Sequence, residues 1–150
     1  MITEDYVSFE TAKLLKEKGF KEMCDSLYGL AYMHNGKYID EDEQYELESE
    51  GRGSEIELVE GGMVYDFWYR NDKRVKHQYS RPTLQRAMKW LRKIKGCPIE
   101  ILWHWDSDNQ CEEWYFRHHV ELKEQPQIEY FDEPEQAAEA AIKYYLENLI

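Results

Sequence analysis

Residues 99–119 read IEILWHWDSDNQCEEWYFRHH, with three tryptophans and three histidines beside carboxylates and a cysteine. Imidazole, thiolate and carboxylate groups bind zinc and move protons, so this stretch is the first place to look for a metal or catalytic centre. Its pattern argues for a packed hairpin instead. Ile99, Ile101, Trp103 and Trp105 share one face of a strand, and Trp114, Phe116, His118 and Val120 must share that face if the apolar sides are to meet. One register satisfies this, pairing 103 with 114 and 101 with 116. It also sets Glu100 opposite Arg117, a favourable cross-strand charge pair that the apolar match did not impose.

That register scatters the histidines. His104 and His119 fall on the polar face near opposite ends, and His118 falls on the apolar face, where it reads as a satisfied core-edge histidine. A zinc site needs three or four ligands within roughly 2.0–2.3 Å of one point. Cys111, beside the turn, can approach His104, but two ligands do not make a site. We therefore expect no metal and no cofactor. Nucleophilic catalysis has no better support, because no serine stands in a G-x-S-x-G elbow. Glu112 and Glu113 alternate sides of their strand and do not face each other. The segment GRGSE at 51–55 lacks the lysine and following helix of a phosphate loop. These polar groups read as solvated surface, and no catalytic residue is assigned.

The elements that would position this hairpin follow from periodicity. A first helix is expected over 9–18, capped by Ser8, burying Phe9, Ala12 and Leu15, and stopped by Gly19. LYGLAYMHNGKYI at 27–39 predicts a hairpin turning at Asn35-Gly36. DEDEQYELESEGRGSEIELVE predicts one or two exposed strands with a loop around Gly51 and Gly53, and MVYDFWY with VKHQY predicts a further hairpin. A strong amphipathic helix is expected over 82–94, capped by Ser80, with Leu84, Ala87, Met88, Leu91 and Ile94 buried, Trp90 at the margin and Gly96 as the stop. PQIEYF at 126–131 predicts a short strand. A last helix over 133–149 opens on an Asp132/Glu135 capping box and buries Ala138, Ala141, Ile142, Tyr145 and Leu149. The expected architecture is a single α+β domain over residues 1–150: a largely antiparallel sheet of hairpins with two or three helices packed on one face.

Charge narrows the partners. The formal net charge is −12, which disfavours free nucleic acid and anionic membranes. The charge is segregated: residues 39–60 hold ten acids against one base, residues 70–95 ten bases against one acid, and residues 96–150 thirteen acids against three bases. Arg86, Lys89 and Lys93 lie opposite the apolar stripe of the middle helix and must meet solvent or a partner. They are the candidate partner-binding residues, either neutralising acidic strands within the chain or across a homodimer, or touching an acidic partner or phosphate backbone. Conversely, an ordered acidic face could imitate nucleic acid in another protein's groove. The three cysteines, 24, 97 and 111, form no C-x-x-C pair, which fits a reduced compartment. MITEDYVSFE has no apolar run of a signal peptide, and no stretch reaches the length of a spanning helix.

Three phrases, ITEDYVSFETAKLLKEKGF, PTLQRAMKWLR and AAEAAIKYYLENLI, occur in this order and cover about a third of the chain. They resemble a family of small acidic uncharacterised proteins of Bacteroidetes and of the phages or mobile elements these bacteria carry. The resemblance implies a cytoplasmic, prokaryotic or phage setting and brings no activity, cofactor or residue role with it. Together the observations favour a non-enzymatic accessory protein that binds a macromolecular partner, most simply a protein, through charged and aromatic surface. The rival reading is a small enzyme acting on a polar substrate, which would require a pocket with His104, His119 or Glu113 converging in it.

Overall fold

A computed structural model describes residues 5–35, 37–39, 41–52, 55–60, 70–72, 78–118 and 127–150. The elements run α1 (Phe9–Glu17), β1 (Leu27–His34), β2 (Lys37–Ile39), α2 (Glu41–Ser49), β3 (Glu55–Glu60), β4 (Gln78–Ser80), α3 (Leu84–Ile94), β5 (Ile99–Asp106), β6 (Cys111–His118) and α4 (Pro134–Asn148). The fold is α+β, with two small antiparallel sheets and four helices among the described residues, against the one sheet and two or three helices expected. Two compact units are formed, one by Met1–Phe20 with Arg81–Ile150 and one by Lys21–Ser80.

In Lys21–Ser80, β1 is the central strand. It turns into β2 through Asn35, whose φ of +51° suits the two-residue hairpin turn expected there. It also pairs antiparallel with β3 and β4. The additional helix, α2, corrects the reading of residues 41–49 as exposed strand. Its glutamates, glutamine and leucine are strong helix formers, and its acids crowd the N-terminal end, where the helix dipole favours them. The side chains of Gln44 and Glu48 are hydrogen-bonded one turn apart. Gly51, at φ +75°, then closes the helix, with Gly51 N donating to Glu48 O and Arg52 N to Leu47 O. The expected strand MVYDFWY lies outside the described residues. Of VKHQY only Gln78 and Tyr79 are described, and both belong to β4.

In the other unit, α4 is the central element. It packs against α1 and α3 and also against β5 and β6. Ala137, Ala138, Ala141, Ile142, Tyr145 and Leu146 are buried along it, the alanines keeping the neighbouring elements close. Tyr145 is fully buried, and its hydroxyl donates to Pro98 O at 2.7 Å. This satisfies the one polar atom of a large buried ring. The expected capping box is absent: Glu133 is the N-cap without a side-chain bond, and Pro134 presets the first turn.

The entry to α3 also differs from expectation. Thr83, and not Ser80, is the N-cap, accepting from Arg86 N. The N-terminal segment pairs with residues 82–84, through Val7 N to Pro82 O and Leu84 N to Asp5 O, which holds Thr83 extended and delays the helix. Gly96, at φ +66°, ends it as expected. Trp90 is buried edge-on against Phe20, whereas Ile94, expected in the stripe, is 63% exposed. The apolar stripe therefore ends at Leu91.

Ser8 caps α1 as expected. A second cap comes from far along the chain, because Glu139 Oε1 accepts from Ser8 N at 3.0 Å and from Thr11 Oγ1 at 2.5 Å. A carboxylate at a helix N-terminus also meets a favourable dipole. Glu139→Ala should cost about 1–2 kcal/mol in urea unfolding, and Glu139→Gln, which retains an acceptor, clearly less.

The same two helices are joined at the surface by Lys143 Nζ and Glu10 Oε2 at 2.7 Å. The hydrogen bond and charge of Lys143 lower the Glu10 pKa, and those of Glu10 raise the Lys143 pKa. The pair therefore stabilises the fold between these two titrations. Its contribution disappears as pH falls through the lowered Glu10 value or rises through the raised Lys143 value. Melting temperatures of wild type and Glu10→Gln should differ slightly near neutrality and converge once the pH has fallen through the lowered Glu10 value.

Candidate functional site

The β5–β6 hairpin pairs in the expected register, Ile101 with Phe116, Trp103 with Trp114 and Glu100 with Arg117. Its turn, residues 107–110, is organised by Asp106. One carboxylate oxygen accepts from Asp108 N at 3.0 Å and Asn109 N at 3.4 Å, and the other accepts from Asn109 Nδ2 at 2.7 Å. The Asn109 side chain foremost, then these backbone groups and the nearby His104, hold the Asp106 carboxyl below its usual range. Gln110 closes the turn at φ +50°.

One face of the ribbon carries Ile99, Ile101, Trp103 and Trp105 with Trp114, Phe116 and His118. Helix α4 covers only its base. Phe116 lies 6.1 Å from Tyr144, and His118 stacks on Tyr144 at 5.8 Å with the Tyr145 edge at 6.1 Å, ring centre to ring centre. Towards the tip the cover stops. Trp103 and Trp105 stand side by side, 6.4 Å apart, and are 56% and 50% exposed. Two strand positions i and i+2 put both indoles on the same side. The rim is acidic, with exposed Asp108 in the turn and Glu112 opposite Trp105.

The opposite face carries His104, Asp106, Cys111, Glu113 and Tyr115. Tyr130, on the returning segment, packs on His104 at 5.1 Å and on Tyr115 at 5.6 Å. The strand expected over 126–131 is reduced, among the described residues, to a single bridge in which Trp114 and Phe131 exchange backbone hydrogen bonds of 2.8 and 2.7 Å.

The histidines do not converge among the described residues. His104 lies against Tyr130, His118 lies under α4, and His119 is outside the described set. His118 differs from expectation in one respect. It is only 9% exposed, and neither ring nitrogen has a hydrogen-bond partner among the described residues, so there it is not a satisfied histidine. A different trio does come together: ligand atoms of Asp106, Cys111 and Glu113 lie within 4.8 Å of one another. The register contains this proximity, since it sets 106 opposite 111 and 104 opposite 113 on one face. The Asp106 carboxylate is already committed to the turn. Partial desolvation, followed by the charges of Glu113, Asp106 and Asp132, raises the Cys111 thiol pKa and keeps it protonated.

A cavity of about 320 Å³ opens between residues 115–118 of β6 and residues 127–129. Four consecutive strand residues line it, so it is a gap at a strand edge, and neither His104 nor Glu113 reaches it. Arg86, Lys89 and Lys93 are on α3, Arg86 half-buried and the two lysines exposed. Both lysines lack an ion pair among the described residues. No helix among the described residues is long and apolar enough to cross a membrane. No family model, curated protein or solved structure matches the chain.

The covered and bare ends of the ribbon should separate by mutation. Phe116→Ala should cost roughly 2–4 kcal/mol in chemical denaturation, whereas Trp103→Ala and Trp105→Ala, each removing a ring already about half in water, should each cost about 1–2 kcal/mol and leave the chain folded.

Proposed function

We propose that this chain is a non-enzymatic accessory protein that binds a macromolecular partner through the tip of the β5–β6 ribbon. The observation that carries this reading is the pair Trp103–Trp105, side by side and about half exposed on a sheet face whose base is covered by α4. Tryptophan is a common anchor at the desolvated centre of protein interfaces, and an acidic rim then selects the partner by charge. A protein partner fits better than nucleic acid, because Asp108 and Glu112 beside the indoles and a net charge of −12 oppose a phosphate backbone. The basic face of α3, with Arg86, Lys89 and Lys93, is a second contact surface of opposite sign. The setting we favour is the prokaryotic cytoplasm, on the strength of the three phrases noted above.

Affinity capture from a native cell lysate tests this reading. A partner retained by the wild-type chain should be lost with the folded double variant Trp103→Ala/Trp105→Ala and weakened by rising salt. Retention of the same partner by the double variant would move the contact elsewhere.

A further inference from the structure

We propose that a second copy of this chain seats its α3 C-terminal end on the Trp103–Trp105 face. The proposal rests on the reading of that face as a docking surface, and goes beyond it by naming the occupant. Both halves of a complementary contact are present on one chain. The ribbon tip offers two exposed indoles flanked by Asp108 and Glu112. The end of α3 offers an exposed apolar side chain, Ile94 at 63%, flanked on its two sides by Lys93 and Lys95, both exposed.

Among the described residues Lys93, Lys95, Asp108 and Glu112 form no ion pair. Apolar matches apolar and charge matches charge in the same contact. Ile94 covers an indole, and the surrounding cations either pair with the rim carboxylates or lie over the indole faces, where lysine and arginine are attracted by the ring quadrupole. Lys95 already lies over an indole within its own chain, 5.5 Å from the Trp90 ring centre.

The net charge of −12 on each copy opposes approach at long range. At physiological ionic strength that repulsion is screened beyond about 8 Å, so the local charges decide the contact. Reciprocal seating, tip on helix and helix on tip, closes a two-fold pair. One-sided seating extends into chains. A contact built on a few side chains is weak, about micromolar or poorer.

Sedimentation of the full-length protein between about 1 μM and 1 mM tests this. The weight-average mass should rise from 18.2 kDa towards twice that value or beyond. Asp108→Lys/Glu112→Lys and Lys93→Glu/Lys95→Glu should each weaken association by about tenfold or more, and an equimolar mixture of the two should restore it. Trp103→Ala/Trp105→Ala should abolish it. A single 18.2 kDa species at every concentration, or association indifferent to all three variants, overturns the proposal. If the wild type stays monomeric but loses a heterologous partner when the indoles are removed, the second copy is excluded while the docking face stands.

Discussion

Burial of α4 against both helices and strands is the constraint on which the unit formed by residues 1–20 and 81–150 depends. The helix meets α1 and α3 and also β5 and β6. A two-stranded ribbon is marginal in water by itself and needs a helix to pack on. Tyr145 joins the layers: its ring is fully buried, its hydroxyl bonds to Pro98 O just ahead of β5, and its edge faces His118. The alanines at 137, 138 and 141 are also buried, and larger side chains there would push the layers apart.

The exposed face follows from a mismatch in reach. The ribbon extends further than α4 covers, so one continuous apolar face has a covered base and a bare tip. Leaving about half of an indole in water withholds roughly 100 Å² of burial, or about 2–3 kcal/mol per tryptophan. The fold does not collect that energy, and a partner covering both rings would. For this reason the tip, and not the strand-edge cavity, is the strongest candidate for recognition.

The hairpin was legible because strand alternation and apolar matching admit a single register, and the Glu100–Arg117 pair agreed with it independently. Helix α2 was not. Its acids and apolar residues alternate in part, while glutamate, glutamine and leucine favour helix, and local propensity prevailed over alternation. The cap of α3 shifted for a long-range reason: residues 5–7 bind 82–84, a contact invisible to a local pattern. Trp90 and Ile94 exchanged roles because periodicity indicates a face but not how far the neighbouring elements extend along it. The segregation of charge could be read directly, whereas the Glu139 cap on α1 depends on tertiary placement. The Asp106, Cys111 and Glu113 trio was readable in principle, because it is a corollary of the register.

That trio also bears on whether the tip performs chemistry or makes contact. A nucleophilic cysteine needs a lowered pKa, supplied by a cation, a metal or a helix N-terminus. Cys111 has carboxylates as neighbours, and its thiol pKa is raised. Asp106 spends its oxygens on three donors within the turn, which rigidifies the loop at the expense of free lone pairs. The acids around the tip therefore shape and charge a surface more readily than they activate a bond. A rigid turn holding two indoles in a negative field is suited to recognising an apolar group surrounded by cations, and the end of α3 on another copy presents that combination.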